Sequence, residues 1–259
     1  MSKSSWSEIP RGALIAGVVA LLVVAGLATK MGLDFAELQK NGQGISTRVA
    51  APGGSAGDAA EPRTPVVIAG FRSARFGDDE AAVRKAIETD FGVTSDKVTE
   101  GASALEKTKL LAIRVKDIVP ESGLGEVVYI LGYNSKKLIQ INVVWSSQLS
   151  PDFTPQQFGA TATILGNYFA RQGFDPQSVS VNQRLPNGVV RVFNGKDLEG
   201  HLVTLVFQEG ELKVTPDEKA SEADKEKAAA ATRKVAAVRL SYVADAENPD
   251  VLKIEKGKF

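Results

Sequence analysis

Hydrophobic positions follow three different rhythms along the chain. From Gly12 to Thr29 they are continuous, reading GALIAGVVALLVVAGLAT with no charge inside and Arg11 and Lys30 at the ends. From Asn41 to Pro65 they lose all periodicity among Gly42, Gly44, Pro52, Gly53, Gly54, Gly57, Pro62 and Pro65. From Val66 onward they switch between a helical period and strict alternation. Each rhythm predicts a different kind of structure.

The continuous run predicts a membrane-spanning helix. Eighteen residues at about 1.5 Å each span about 27 Å, close to the thickness of a bilayer's hydrocarbon core. Pro10 is placed to start that helix, and Trp6 sits just outside it, where interfacial aromatics belong. The run exceeds the usual apolar core of a cleaved signal, about 7–15 residues. Gly26 and Ala28 nevertheless fit a cut before Thr29, so a cleaved signal peptide is the alternative. A short N-terminal tail ahead of a long domain predicts a cytoplasmic tail and a periplasmic domain in a bacterium, with the anchor in the inner membrane. The layout is then residues 1–30 as tail and anchor, and 31–65 as a flexible linker.

The remaining residues predict two helix-plus-sheet units, 66–148 and 149–259. In the first, Val83, Ile87 and Phe91 recur at helical spacing over Asp78–Phe91. Asp78, Asp79 and Glu80 fill the first turn, and Gly92 stops the helix. Strand patterns follow: Leu111, Ile113 and Val115; then Val127–Leu131; then Ile139, Ile141, Val143 and Trp145 alternating with Gln140, Asn142 and Val144. Polar residues on one side predict antiparallel sheet with one wet face.

The second unit opens on Thr154–Pro155–Gln156–Gln157, a capping box. Phe158, Ala162, Leu165 and Phe169 form its helical stripe, and Gly173 is read as the stop. Strands are predicted at Val179–Leu185, Val189–Phe193, Leu202–Phe207 and Ala236–Tyr242, with a hairpin turn at Pro186–Asn187–Gly188. Gly92 aligns with Gly173, Ala112–Lys116 with Val189–Phe193, Gly125–Val128 with Gly200–Val203, and Leu138–Trp145 with Val235–Tyr242. This is an internal repeat with a solvated helical insertion near 211–234. The fold class is α+β.

Composition narrows the chemistry. Lysine plus arginine equals aspartate plus glutamate, 31 each, so no net field favours a nucleic acid. There is no cysteine, which removes disulfides, thiolate zinc sites and thiol nucleophiles. His201 is the sole histidine and reads as a strand-edge residue. No serine elbow between strand and helix is read that would complete a triad with it. Asp78, Asp79 and Glu80 are consecutive, so they point in different directions and read as helix-start acids. Gly123–Leu124–Gly125 leads into a strand, which does not make a phosphate site. Phe71–Phe76 interleaves aromatic and basic residues and reads as a domain-entry strand. The sequence thus predicts no catalytic residue, no metal ligand and no cofactor.

Phe76–Gly77–Asp78 followed by Val83 resembles the helix opening of the β-lactamase-inhibitor-protein-like superfamily, which includes tandem helix-plus-sheet inhibitors. Asp78 stands where that family often has methionine, and the second unit lacks the motif. The resemblance implies a protein-binding scaffold. Tyr129, Tyr133, Trp145, Tyr168 and Tyr242 are the aromatics available to anchor a partner, with core packing favoured for Trp145 and Tyr242. The tail Asn248–Phe259 reads either as a docking strand or as a frayed end. The expected function is a membrane-anchored, non-catalytic accessory or assembly subunit with a protein partner, held to the membrane through Gly12–Thr29. A secreted inhibitor or ligand-binding protein is the alternative, and an enzyme comes last.

Overall fold

A computed structural model describes residues 64–185, 188–213, 232–253 and 257. The Gly12–Thr29 run, the linker up to residue 63, Pro186–Asn187 and residues 214–231 lie outside the described residues. Among the described residues, no helix is long and apolar enough to cross a membrane.

Among the described residues the fold is α+β, with two α-helices and an eight-stranded antiparallel sheet. A small hairpin, β1 (Gly70–Phe71) and β2 (Ala74–Arg75), leads into α1 (Glu80–Phe91). Next come β3 (Thr99–Ala102), β4 (Lys109–Lys116), β5 (Leu124–Leu131) and β6 (Leu138–Ser146). Then α2 (Pro155–Ala170) is followed by β7 (Ser180–Arg184), β8 (Val190–Lys196), β9 (Leu202–Lys213) and β10 (Thr232–Val243). One helix and four strands thus occur twice. The sheet runs β3-β4-β5-β6-β10-β9-β8-β7, so the last strand of each set meets the other at the centre. There Trp145 pairs with Val238 and Val143 with Leu240.

Local chemistry explains both helices. Asp79 caps α1, its carboxylate accepting from the Ala82 N–H at 3.0 Å, and Gly92 closes it at φ 64°. Glu80 is the first residue inside the helix, while Asp78 lies outside it. Thr154 and Gln157 complete the predicted capping box of α2, with Pro155 in its first turn. Both helices bury their stripes against one face of the sheet. Val83, Ile87, Phe158, Ala162 and Phe169 join Leu111, Tyr129, Ile141, Trp145, Phe193, Leu205 and Val238 in a single core.

Four expectations are corrected. Gly173 is not the stop of α2, which ends at Ala170 with Arg171 as a right-handed cap. Gly173 instead lets the entering chain approach. Pro65 bridges to it, the Val66 N–H donates to its carbonyl, and a Cβ there would sit 2.1 Å from the Thr64 carbonyl oxygen. Gly173→Ala is therefore expected to push Thr64–Pro65 off the molecule at a cost of about 1–3 kcal/mol, read as faster proteolysis between residues 64 and 69.

The second correction concerns the excursion. β9 and β10 stay paired out to Lys213 and Thr232, so residues 211–213 and 232–234 are strand. The third concerns Ile139. A register shift lets Leu131 pair with Leu138 and Ile130 with Gln140, so Ile139 leaves the Ile141–Trp145 face and joins a second cluster. The fourth concerns the wet face. β5 is buried along nearly its whole length, and Ala112, Val128 and Ile130 form a separate apolar cluster that contains no helix residue. The helix-free face is therefore dry around Ala112, Val128 and Ile130, while Arg114 on the same face stays exposed.

Candidate functional site

The sheet face opposite the helices carries the most unusual side chains of the described fold. Strand pairing lines up Arg114 on β4, Glu126 on β5, Val144 on β6, Arg239 on β10, Val206 on β9, Arg191 on β8 and Gln183 on β7. This row crosses seven strands. One register step away lie Ala112, Val128, Asn142, Ser241, Thr204 and Asn194. Alternation dictates this face, because the partners of these residues in sequence point into the helix-covered core.

Two of the charged members are buried, Arg239 is half-buried and Arg114 is exposed. Glu126 is 3% exposed and Arg191 4% exposed. Arg114 donates from Nε to Glu126 Oε1 at 3.2 Å, and Arg191 donates from Nη1 to Gln183 Oε1 at 3.1 Å. Burial pushes the Glu126 carboxyl up, with Arg114 opposing that rise. Burial likewise disfavours the charge of Arg191 and Arg239. Glu126 Oε2 and Ser241 Oγ are buried without a hydrogen-bond partner. Taking Glu126, Arg191 and Ser241 out of water is costly, which sets this face apart from an ordinary wetted sheet face.

No family model, curated protein or solved structure matches the chain. The reading of its surfaces rests on their chemistry alone.

The second surface is the outer side of α2. The sequence PQQFGATATILGNYFA holds no ionisable side chain apart from Tyr168, while α1 carries Glu80, Arg84, Lys85, Glu88 and Asp90. Ile164 is 55% and Tyr168 58% exposed, one turn apart. Of the aromatics proposed as anchors, Tyr129 and Trp145 are fully buried and Tyr242 packs against the core. Tyr133 takes the Lys136 ammonium over its ring at 5.2 Å. Tyr168 alone among them is strongly exposed.

The remaining candidates resolve into structural tasks. Asp78, Asp79 and Glu80 do not converge. Asp78 accepts from the Arg75 N–H, Asp79 caps α1, and Glu80 pairs with Arg84 and Lys109. Phe71–Phe76 forms the β1–β2 hairpin, with Arg72 over the Phe91 ring at 4.5 Å and Ser73 bonded to Asp90. Gly123 sits at φ 72° and leads directly into β5. His201 lies in the β8–β9 turn, where its Nδ1 is 3.1 Å from Asp197 Oδ2 and its ring packs tilted against Phe76. A Gly-x-Ser-x-Gly string does occur at Gly53–Gly57, but in the glycine-rich linker, outside the described residues. Among the described residues no three histidine or carboxylate groups are placed to share a metal ion.

Two structural sites have no signature in the sequence pattern. Asp197 collects N–H donors from Ile68, Glu199 and His201. Asp250 fastens the C-terminal segment to the β5–β6 turn. Its carboxylate accepts from the N–H groups of Asn134 and Ser135, and its carbonyl from the Tyr133 N–H. The Ser135 hydroxyl and those N–H groups hold the Asp250 carboxyl down to about 2. Residues 248–252 are thus a clasp: the Leu252 N–H goes on to the Glu106 carbonyl.

Proposed function

We propose that the protein is a single-pass, membrane-anchored, non-catalytic binding subunit whose head takes a protein partner on the helix-free face of its sheet. The observation that carries this reading is the face itself. It combines a second apolar cluster, Ala112, Val128 and Ile130, with a row of three arginines and one glutamate in which Glu126 and Arg191 are buried and Arg114 is exposed. Apolar contact supplies the driving force in such a surface, and charged groups fix register and exclude wrong partners. The repeated helix-and-four-strand order supports reading the head as two tandem units, as the resemblance to the inhibitor-like superfamily implies. The Gly12–Thr29 run supports the anchor, with the head in the periplasm.

Photo-crosslinkers at Val128 and Arg114 in the full-length chain test this. Crosslinks to one partner protein from membranes are expected, and Val128→Asp is expected to reduce co-purification of that partner at least tenfold. If every crosslink is internal to the chain, its own residues close the face and the reading fails.

A further inference from the structure

We infer that the outer face of α2 rests on the bilayer surface beside the anchor. The inference takes the Gly12–Thr29 run as that anchor and is independent of the partner on the opposite sheet face.

The argument begins where the chain enters the head. Thr64 and Pro65 lie against Gly173, three residues beyond the end of α2, and the Val66 N–H donates to the Gly173 carbonyl. Whatever direction the linker takes, it arrives at the C-terminal end of α2. Tyr168 lies in the last turn of that helix and Ile164 one turn before it. At the entry point Ile68 is buried, while its neighbour Val67 is 66% exposed. Exposed apolar side chains thus gather at the root of the tether.

The chemistry of α2 suits a lipid interface. Charged side chains resist leaving water, and α2 has no carboxylate, ammonium or guanidinium along its length. Tyrosine presents an apolar ring and a polar hydroxyl, the combination favoured at the headgroup boundary. Basic residues, which draw peripheral helices onto anionic lipid, are missing from α2 itself, so the contact is weak on its own. It needs no independent strength. The tether holds the head near the membrane, and a surface already at high effective concentration is engaged by modest apolar contact. The helices and the charged row lie on opposite faces of one sheet. With α2 against lipid, the helix-free face points away from the membrane.

The cysteine-free sequence allows single labels without background. Full-length chains carrying Ile164→Cys, Tyr168→Cys, Leu105→Cys or Leu21→Cys would be spin-labelled and reconstituted into phosphatidylethanolamine–phosphatidylglycerol vesicles. Leu105, 86% exposed in the β3–β4 turn, is the aqueous reference. Lipid-borne nickel is expected to relax the labels at 164 and 168 severalfold faster than the label at 105. Equal relaxation at 164, 168 and 105, with the Leu21 label buried in lipid, overturns the docking and leaves the anchor standing. A Leu21 label in water overturns the anchor and the docking with it. Dipolar broadening between labels at Ile164 would make a second copy the occupant and also overturns the proposal. Far-UV circular dichroism of each labelled chain confirms that it is folded before it is compared.

Discussion

Replacing Trp145 with alanine is expected to lower the unfolding free energy by about 3–5 kcal/mol, the largest single loss in the sheet. Trp145 is fully buried near the end of β6, a central strand of the sheet, facing Gly125 on one neighbouring strand and Val238 on the other. Its indole N–H donates to the Ser122 hydroxyl at 3.1 Å. A Cβ on Gly125 would lie 3.0 Å from the indole nitrogen, so the glycine leaves the space that the ring fills. Alanine removes the ring, opens a cavity where the two halves of the sheet join, and leaves the Ser122 hydroxyl with the Val119 N–H but without the indole donor. A domain's whole stability is about 5–15 kcal/mol, so the variant retains little margin at physiological temperature. Trp145→Phe is expected to cost less, because most of the volume stays and mainly the hydrogen bond goes. Urea titration followed by far-UV circular dichroism measures both. The change removes one of the two tryptophans and with it the natural fluorescence probe of the head. A loss below about 0.5 kcal/mol, the range of surface substitutions, would mean that the centre of the sheet is not its core.

Trp145 also shows how much of the fold is legible in sequence. Strict alternation over Ile141, Val143 and Trp145 puts the ring on the core side, and pairing of β6 with β10 completes that placement. Both helix starts are legible for the same reason, because caps are local: Asp79 reaches Ala82, and Thr154 reaches Gln157. The features that pattern misses are non-local. β3 reads Thr-Glu-Gly-Ala, with no apolar rhythm, and is a strand only because β4 lies beside it. Ile139 has the right parity for the core, and one shifted register between β5 and β6 moves it away. Gly173 has the look of a helix stop, yet its missing side chain makes room for Thr64, more than a hundred positions earlier. The expectation of a wet face rests on Gln140 and Asn142 of β6, and the unbroken run Val127–Leu131 next to it argues the opposite. An uninterrupted apolar strand is the mark of a sheet buried on both sides.

The polar contacts of Asp197 are equally invisible to sequence patterns, and they lead to the second large effect. Asp197→Ala is expected to cost about 3 kcal/mol and to free the entry segment. The carboxylate is buried in the β8–β9 turn. Its Oδ2 accepts from the Ile68 N–H at 2.8 Å and faces His201 Nδ1, while its Oδ1 accepts from the N–H groups of Glu199 and His201. The Ile68 bond spans 129 positions and ties the tether root to the second half of the sheet. Alanine leaves the buried Ile68 N–H without an acceptor. Asparagine keeps one oxygen but turns an NH2 toward an N–H on one side or the other, so Asp197→Asn is expected to cost an intermediate amount. His201→Ala removes the imidazole contact to Asp197 and the ring contact with Phe76, keeps the Ile68 bond, and is expected to cost about 1 kcal/mol. Amide exchange at Ile68 separates these cases. Protection is expected to fall in the alanine variant and to persist in His201→Ala; unchanged protection in Asp197→Ala would remove the latch from the fold. The pH dependence has a definite sign. Burial raises the Asp197 carboxyl, but the N–H of Ile68 and the bonds from His201 outweigh it and leave it below the ordinary aspartate value. A carboxyl lower in the folded than in the unfolded state adds stability that is complete above the unfolded value, about 3.9. That stability is lost as the pH falls through the folded value. The gap between wild type and Asp197→Asn is therefore expected to stay level from about pH 5 to 8 and to narrow below about pH 4, where the wild-type carboxylate takes up its proton.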